Sequence, residues 1–185
     1  VRPAFVAGHS LGEYTANVAA GTLGFADALN IVRRRGRYMQ EAVPVGTGAM
    51  SAVLGLDADR VAEACREALA EAVAVGEVVS PANLNGAGQV VIAGSRDAVA
   101  RAGVHARALG AKRVVPLAVS APFHCALMKP AELRLAPELR ALAKVDPAIP
   151  IVANVDAEPK TTASAAIEAL VSQVSSPVRW DAVVA

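Results

Sequence analysis

Apolar residues recur along this chain with two different periods, and the switches between them mark out its elements. A short apolar run over residues 2–7 leads into Gly8-His-Ser-Leu-Gly12, which predicts a buried strand entering a tight turn. Leu11, Tyr14 and Val18 then recur at helical steps up to Gly21. A second helix is predicted over 25–40, with Phe25, Ala28, Leu29, Val32, Gly36 and Met39 on one face. After Gly46-Thr-Gly48 the rhythm becomes strand 49–54, helix 57–73, strand 78–84, turn 85–88, strand 89–93, helix 95–109 and strand 113–118. Asp57 suits an N-cap, and the inner face of its helix reads Val61, Cys65, Leu69 and Val73. The loop after Asn85-Gly86 is read as four residues long, and Pro116 assigns the last strand to an edge or a bulge. A βαββαβ order of this kind is that of a ferredoxin-like unit inserted between two parts of another layer. Leu127, Met128, Leu135, Leu139 and Leu142 predict a further helix in which Pro130 fits the first turn and Pro137 imposes a kink or a split. A buried strand over 150–155 and a helix over 163–174, with Ile167, Leu170, Val171 and Val174 inward, follow.

Composition narrows the class. The 185 residues can bury a real core, and 54% are hydrophobic, yet no window approaches the ~18 uninterrupted apolar residues of a membrane helix. Eighteen basic and seventeen acidic residues leave a net charge of +1, which argues against nucleic acid or an anionic membrane as the main partner. Cys65 and Cys125 are isolated, match no metal spacing and read as reduced thiols of a cytoplasmic protein. Only nine residues precede Ser10, and residues 181–185 read like an unfinished element, so a fragment is expected.

The strand–turn–helix order around Gly8-x-Ser10-x-Gly12 is what a nucleophile elbow requires, with small residues two before and two after the serine because backbone passes close by. Ser10 is therefore the candidate nucleophile. A hydroxyl needs a base, and three histidines are available. His9 is adjacent to Ser10 and points elsewhere on a turn. His105 sits in a helix without polar companions and reads as surface. His124 follows Ser120-Ala-Pro-Phe123 at a strand end and is the candidate base. In the Arg33-Arg-Arg-Gly-Arg37 run, Arg34 and Arg37 point away from the apolar stripe, while Arg33 and Arg35 flank it on opposite edges; periodicity leaves a pocket role open to either. No acid between Ser10 and His124 sits at the end of a main-sheet strand, which argues against a simple Ser–Asp–His hydrolase.

Gly8-His-Ser-Leu-Gly-Glu-Tyr-Thr-Ala16, Arg35-Gly-Arg-Tyr-Met-Gln40, Gly46-Thr-Gly-Ala-Met50, Gly88-Gln-Val-Val-Ile-Ala-Gly94, Phe123-His-Cys-Ala-Leu-Met128 and Ser176-Pro-Val-Arg-Trp180, in order along the whole chain, resemble the malonyl-CoA:acyl-carrier-protein transacylase family. The resemblance implies an α/β-hydrolase-like parallel-sheet subdomain over 1–46 and 119–185, incomplete here, with a ferredoxin-like subdomain inserted over 47–118. It implies Ser10 as carrier of a malonyl ester, His124 as base, Arg35 as the malonyl-carboxylate ligand and the Leu11 N–H as half of the oxyanion hole. It also implies that the Gln173 backbone carbonyl orients His124 in place of an aspartate, so that the Gln173 side chain should matter little. Met39, Met50, Leu11 and Phe123 are expected as pocket walls. Gln89, with Asn83 or Asn85, is expected to touch the coenzyme or carrier arm, and Lys112 and Arg113 the acidic carrier protein. The Phe123–His124 pair matches malonyl-selecting rather than methylmalonyl-selecting members.

The implied activity is malonyl transfer from coenzyme A to acyl carrier protein in fatty acid biosynthesis, by a cytoplasmic monomer using no metal or other cofactor. The family's N-terminal segment, with its glutamine donor to the oxyanion hole, and its C-terminal Gly-Pro-Gly region are not in this sequence. A hole with one donor would lose roughly 3 kcal/mol of transition-state stabilisation, so the fragment alone is expected to be inactive. Competing expectations are an acyltransferase domain of a polyketide or fatty acid synthase, a serine esterase or thioesterase, and an inert carrier-docking fragment.

Overall fold

The computed structural model describes residues 3–72 and 75–185. The fold is mixed α/β, built from a helical layer and a four-stranded antiparallel sheet. Helices α1 (Leu11–Ala19) and α2 (Phe25–Glu41) precede strand β1 (Gly48–Leu54), helix α3 (Ala58–Ala70), strands β2 (Val79–Gly86) and β3 (Gln89–Ser95), helix α4 (Arg96–Ala108) and strand β4 (Arg113–Pro116). The sheet order is β2-β3-β1-β4.

Period-2 alternation explains how both faces of this sheet are buried. Val53, Val79, Val90 and Ile92 pack against Val61, Ala64, Cys65 and Ala68 of α3 and Ala98, Val99, Ala102 and Ala106 of α4. Their neighbours Met50, Ala52, Val91 and Ala93 face the other way, onto Leu117, Phe123, Cys125 and Leu127. The segment carrying His124 is thereby pressed against the sheet. Asp57 caps α3 by accepting from the Arg60 N–H at 2.9 Å. Leu69 is only partly buried, and Val73 lies outside the described residues.

The second layer joins α1 and α2 to α5 (Lys129–Arg140) and α6 (Ala163–Gln173) through Tyr14, Ile31, Met39, Leu135, Leu139, Ile167 and Leu170. A short helix α7 (Trp180–Val183) follows. Helix α5 runs uninterrupted through Pro137 instead of splitting there. The carbonyl of Leu133, the partner that Pro137 cannot serve, belongs to an exposed residue.

Several sequence expectations change. The apolar face of α2 is rotated: Phe25 and Leu29 are exposed, whereas Ala28, Ile31, Arg35, Tyr38 and Met39 are buried. A hydrophobic wheel misses this because two residues of the buried stripe, Arg35 and Tyr38, are polar. Likewise Leu11 is 51% exposed, while Glu13 and Asn17 of α1 are buried. The hairpin between β2 and β3 closes through Ala87-Gly88 alone, both at positive φ (50° and 71°), with Gly86 paired to Gln89. The strand expected over 2–7 reduces among the described residues to a parallel bridge between Val6 and Ile151. The strand expected over 150–155 is only β5 (Ile151–Val152), which pairs antiparallel with β6 (Pro159–Lys160). Around the elbow the described residues therefore hold that single parallel bridge rather than an extended parallel sheet. Among the described residues, no helix is long and apolar enough to cross a membrane.

Candidate active site

Ser10 immediately precedes α1 with φ 50° and ψ −106°, a conformation L-residues rarely adopt. What makes the turn possible is Gly8: a Cβ there would lie 2.1 Å from the Gly12 carbonyl oxygen. A Cβ on Gly12 would meet nothing within 4 Å, so the smallness of the motif is required at its first glycine, not at both. Three further bonds hold the elbow. Asn154 accepts from the Ser10 N–H at 2.7 Å and donates to the Gly8 carbonyl at 3.0 Å, and the Gln173 amide donates to the Ser10 carbonyl at 2.9 Å.

The Ser10 hydroxyl lies 2.7 Å from His124 Nε2, and His124 Nδ1 lies 2.8 Å from the Gln173 carbonyl. A carbonyl only accepts, so Nδ1 carries the proton and Nε2 is the free acceptor facing Ser10. His124 is 4% exposed, with φ 60°. Burial, reinforced by the Arg35 charge, pushes its pKa down to about 4, so the ring is neutral near pH 7. Arg35, on the buried stripe of α2, donates to Ser10 Oγ at 3.0 Å and to Gln173 Oε1 at 3.2 Å. It makes no ion pair among the described residues, its Nε is buried without a partner, and burial pulls its pKa below the usual arginine range. Arg33, the alternative left open by periodicity, is exposed.

Ser10, Arg35 and His124 share a cavity of about 320 Å³ with His9, Met50, Asn83, Leu117, Val119 and Phe123. A larger cavity of about 480 Å³ lies between α2 and α5, lined by residues such as Asp27, Arg34 and Glu138, and contains no nucleophile–base pair. The smaller one is where chemistry can occur. Met50 and Phe123 line it; of the other expected walls, Met39 is 1% exposed within the helical core and the half-exposed Leu11 side chain is not part of the lining. The N–H groups of Gly12 and Glu13 bond the His9 and Ser10 carbonyls, which leaves that of Leu11, first in its helix, as the donor beside the nucleophile.

The other candidates are spread out. His9 Nε2 lies 3.0 Å from Asn85 Oδ1, and Asn85 donates to Gln89 Oε1 at 3.2 Å, forming an exposed polar chain at the mouth. Lys112 and Arg113 are exposed at the start of β4 and do not line the cavity. His105, expected to lack polar companions, lies 3.0 Å from Glu67 and 3.2 Å from Glu71 across α3. Cys65 and Cys125 are free and buried, and burial pushes their thiols up to about 12 and about 11.

Two site residues escape the sequence reading, Glu13 and Asn154, and a third, Gln173, is misjudged. The Gln173 side chain is fully buried and engages Glu13, Ser10 and Arg35, so it is no bystander to its own backbone carbonyl. Glu13 is 1% exposed, and desolvation raises its carboxyl to about 7 against the lowering effect of Gln173 and Asn154. The available signal was Glu13 and Asn17 one helical turn apart on the same side of α1 as Tyr14.

The acyl transferase domain family matches residues 1–185 of this chain. The malonyl CoA-acyl carrier protein transacylase of Escherichia coli (strain K12) is 55% identical over 178 residues, covering 96% of this chain and 56% of the relative. Its counterpart from Bacillus subtilis (strain 168) is 47% identical over 181 residues, covering 98% and 56%. Among solved structures, an acyl carrier protein S-malonyltransferase from Vibrio cholerae superposes with TM-score 0.93 at 52% identity, covering 98% of this chain and 58% of that one. A malonyl-transacylase in complex with its type II polyketide acyl-carrier protein gives TM-score 0.90 at 52% identity, covering 97% and 57%. The chain thus spans about half the length of the curated relatives it matches. With a family match along its entire length and a serine elbow facing a buried histidine, the chain belongs to the acyl transferase domain family.

Proposed function

We propose that the protein containing this chain transfers a malonyl group from coenzyme A to the phosphopantetheine thiol of an acyl carrier protein, in fatty acid biosynthesis. The observation that carries this reading is Arg35, a buried cation with no carboxylate partner among the described residues, in the same cavity as the Ser10–His124 pair. A buried unpaired guanidinium favours an anionic ligand, and its planar fork can meet a carboxylate with two parallel bonds. The identities to malonyl transferases support the same substrate.

In this reading residues 47–118 form a ferredoxin-like subdomain inserted in an α/β-hydrolase-like one, and the cavity lies between them. Ser10 Oγ attacks the thioester carbonyl carbon while His124 Nε2 takes its proton. The oxyanion forms toward the Leu11 N–H. The C–S bond then breaks, and His124 returns the proton to the coenzyme A sulfur, leaving malonyl-Ser10. The carrier thiol gives its proton to His124 and attacks the ester, and the proton passes back to Ser10 as the malonyl-carrier leaves. A neutral carbonyl behind His124 stabilises the imidazolium less than a carboxylate would, which suits reversible transfer between thiols of similar leaving ability. Lys112 and Arg113 as carrier contacts, Gln89 as an arm contact, and a cytoplasmic monomer using no further cofactor belong to the same reading.

The test is to load the full-length protein with labelled malonyl-CoA and then add carrier, both a fatty acid and a type II polyketide one. Label should appear on Ser10 and move to a carrier; release mainly as free malonate would overturn the proposal in favour of a hydrolase.

The pH profile carries a second expectation. His124 acts as a base only when neutral, and its pKa lies below the ordinary 6.5, at about 4. The kcat/KM for loading should therefore be flat through pH 6.5 and fall only as pH approaches 4. A half-point near 6.5 in stopped-flow loading would show that the ring is not held as described.

A further inference from the structure

Gln173 touches both His124 and Arg35. Its backbone carbonyl accepts from His124 Nδ1 at 2.8 Å, and its side-chain Oε1 accepts from Arg35 at 3.2 Å. On its other side, Nε2 donates to Glu13 Oε2 at 2.7 Å and to the Ser10 carbonyl at 2.9 Å. The Ser10 carbonyl can only accept and the Arg35 guanidinium can only donate, so the amide NH₂ must face Ser10 and Glu13 and the amide oxygen must face Arg35. Turned over, the amide would set its oxygen against the Ser10 carbonyl and its NH₂ against a guanidinium. In a fully buried position no water can repair such a mismatch. Glu13 is held in turn by the backbone N–H of Asn154 at 3.1 Å, the residue whose side chain ties down Ser10 and Gly8.

We infer that Glu13, acting through the side-chain amide of Gln173, is a positioning residue that holds Arg35 in the cavity and so sets selectivity for carboxylate-bearing acyl groups, separately from the orientation of His124. The inference rests on the malonyl-transfer reading above. It divides the work of Gln173: the backbone carbonyl serves the base, and the side chain, besides tying down the Ser10 carbonyl, orients Arg35 for the acyl groups that it must grip.

The test compares malonyl and acetyl loading from their coenzyme A thioesters in full-length wild type, Gln173→Met, Glu13→Leu and Glu13→Gln. Methionine keeps the volume and the backbone carbonyl but deletes the side-chain bonds to Arg35, Glu13 and the Ser10 carbonyl. Losing one hydrogen bond to a charged group should lower the malonyl-to-acetyl ratio of kcat/KM by about 30-fold in Gln173→Met, with most of the malonyl-specific loss in KM, while the lost bond to the Ser10 carbonyl adds a fall common to both substrates. The acid limb of the pH profile should stay in place, because the carbonyl behind His124 is retained. Glu13→Leu should shift the same ratio in the same direction. Glu13→Gln should recover most of it, because a glutamine oxygen can still accept from Gln173 and Asn154. Equal loss of both substrates in Gln173→Met, or no loss of either, overturns the inference and makes the network purely structural. If Glu13→Leu loses its cooperative unfolding transition, Gln173→Met alone decides. A wild type that loads no malonyl on Ser10 refutes the function reading instead, which keeps the two failures apart.

Discussion

Replacing His124 by alanine should lower loading of Ser10 by about 10³–10⁴-fold, the upper part of the range for a positioned general base. The size of the effect follows from what remains around the hydroxyl. Ser10 Oγ has two polar partners, His124 Nε2 and an Arg35 N–H. Histidine accepts the serine proton, whereas arginine donates to the oxygen and draws electron density from it. With the ring gone, the hydroxyl keeps only the partner that makes it a poorer nucleophile. Among the described residues the other candidate bases are engaged elsewhere: His9 bonds Asn85, and the Glu13 carboxyl bonds Gln173 and Asn154. Binding of malonyl-CoA should survive, since Arg35 lies on a different element. Stopped-flow loading with calorimetric binding in parallel checks both halves. Retention of more than about a tenth of the wild-type loading rate would mean that the proton has another acceptor.

Arg35→Ala should separate substrates rather than silence the enzyme. Removing one partner of a buried charge pair costs roughly 10²–10³-fold in binding-linked rate, so malonyl kcat/KM should fall by that amount. Acetyl has no carboxylate to lose. In the wild type it must also share the cavity with an unsatisfied cation, and alanine removes that penalty. The malonyl-to-acetyl ratio should therefore collapse while acetyl loading holds or rises. The comparison is sensitive because Arg35 also bonds Ser10 Oγ: a purely structural arginine would disturb the nucleophile and depress both substrates together. An unchanged ratio would reassign Arg35 to holding α2 against the elbow.

The parts of this site that could be read from sequence are those that local rules encode. Gly8-His-Ser-Leu-Gly12 announces a strained turn because few residues tolerate the geometry of Ser10, and the alternation from 49 to 118 announces two helices on a sheet. The choice of Arg35 over Arg33 could not be read that way. A wheel ranks residues by hydrophobicity, and the buried stripe of α2 contains an arginine and a tyrosine where aliphatic residues would be counted. Glu13, Asn154 and the Gln173 side chain were out of reach for another reason. Their bonds to the elbow helix and to Arg35 span 138 to 163 positions in sequence, so nothing local to any one of them signals the others. Short strands such as β5 and β6 are similarly opaque, since two residues cannot display a period.

The two outer strands of the four-stranded sheet have a consequence for how this protein behaves in a crowded solution. An open strand edge is a row of unpaired donors and acceptors that a second chain can extend. Each outer strand here carries a proline, Pro81 in β2 and Pro116 in β4, and each proline deletes one donor from its row. The pairing of β2 is further bent by register shifts between Pro81 and Asn83 and between Leu84 and Gly86. The segment just before α7 then occupies part of that rim, with the Val178 N–H bonding the Ala82 carbonyl and the Leu84 N–H bonding the Val178 carbonyl. Segments 174–178, which lead from Gln173 toward the mouth of the site, therefore also act as a guard strip against strand-to-strand self-association. A substitution that loosens that strip would release the protein toward clumping as well as toward inactivity.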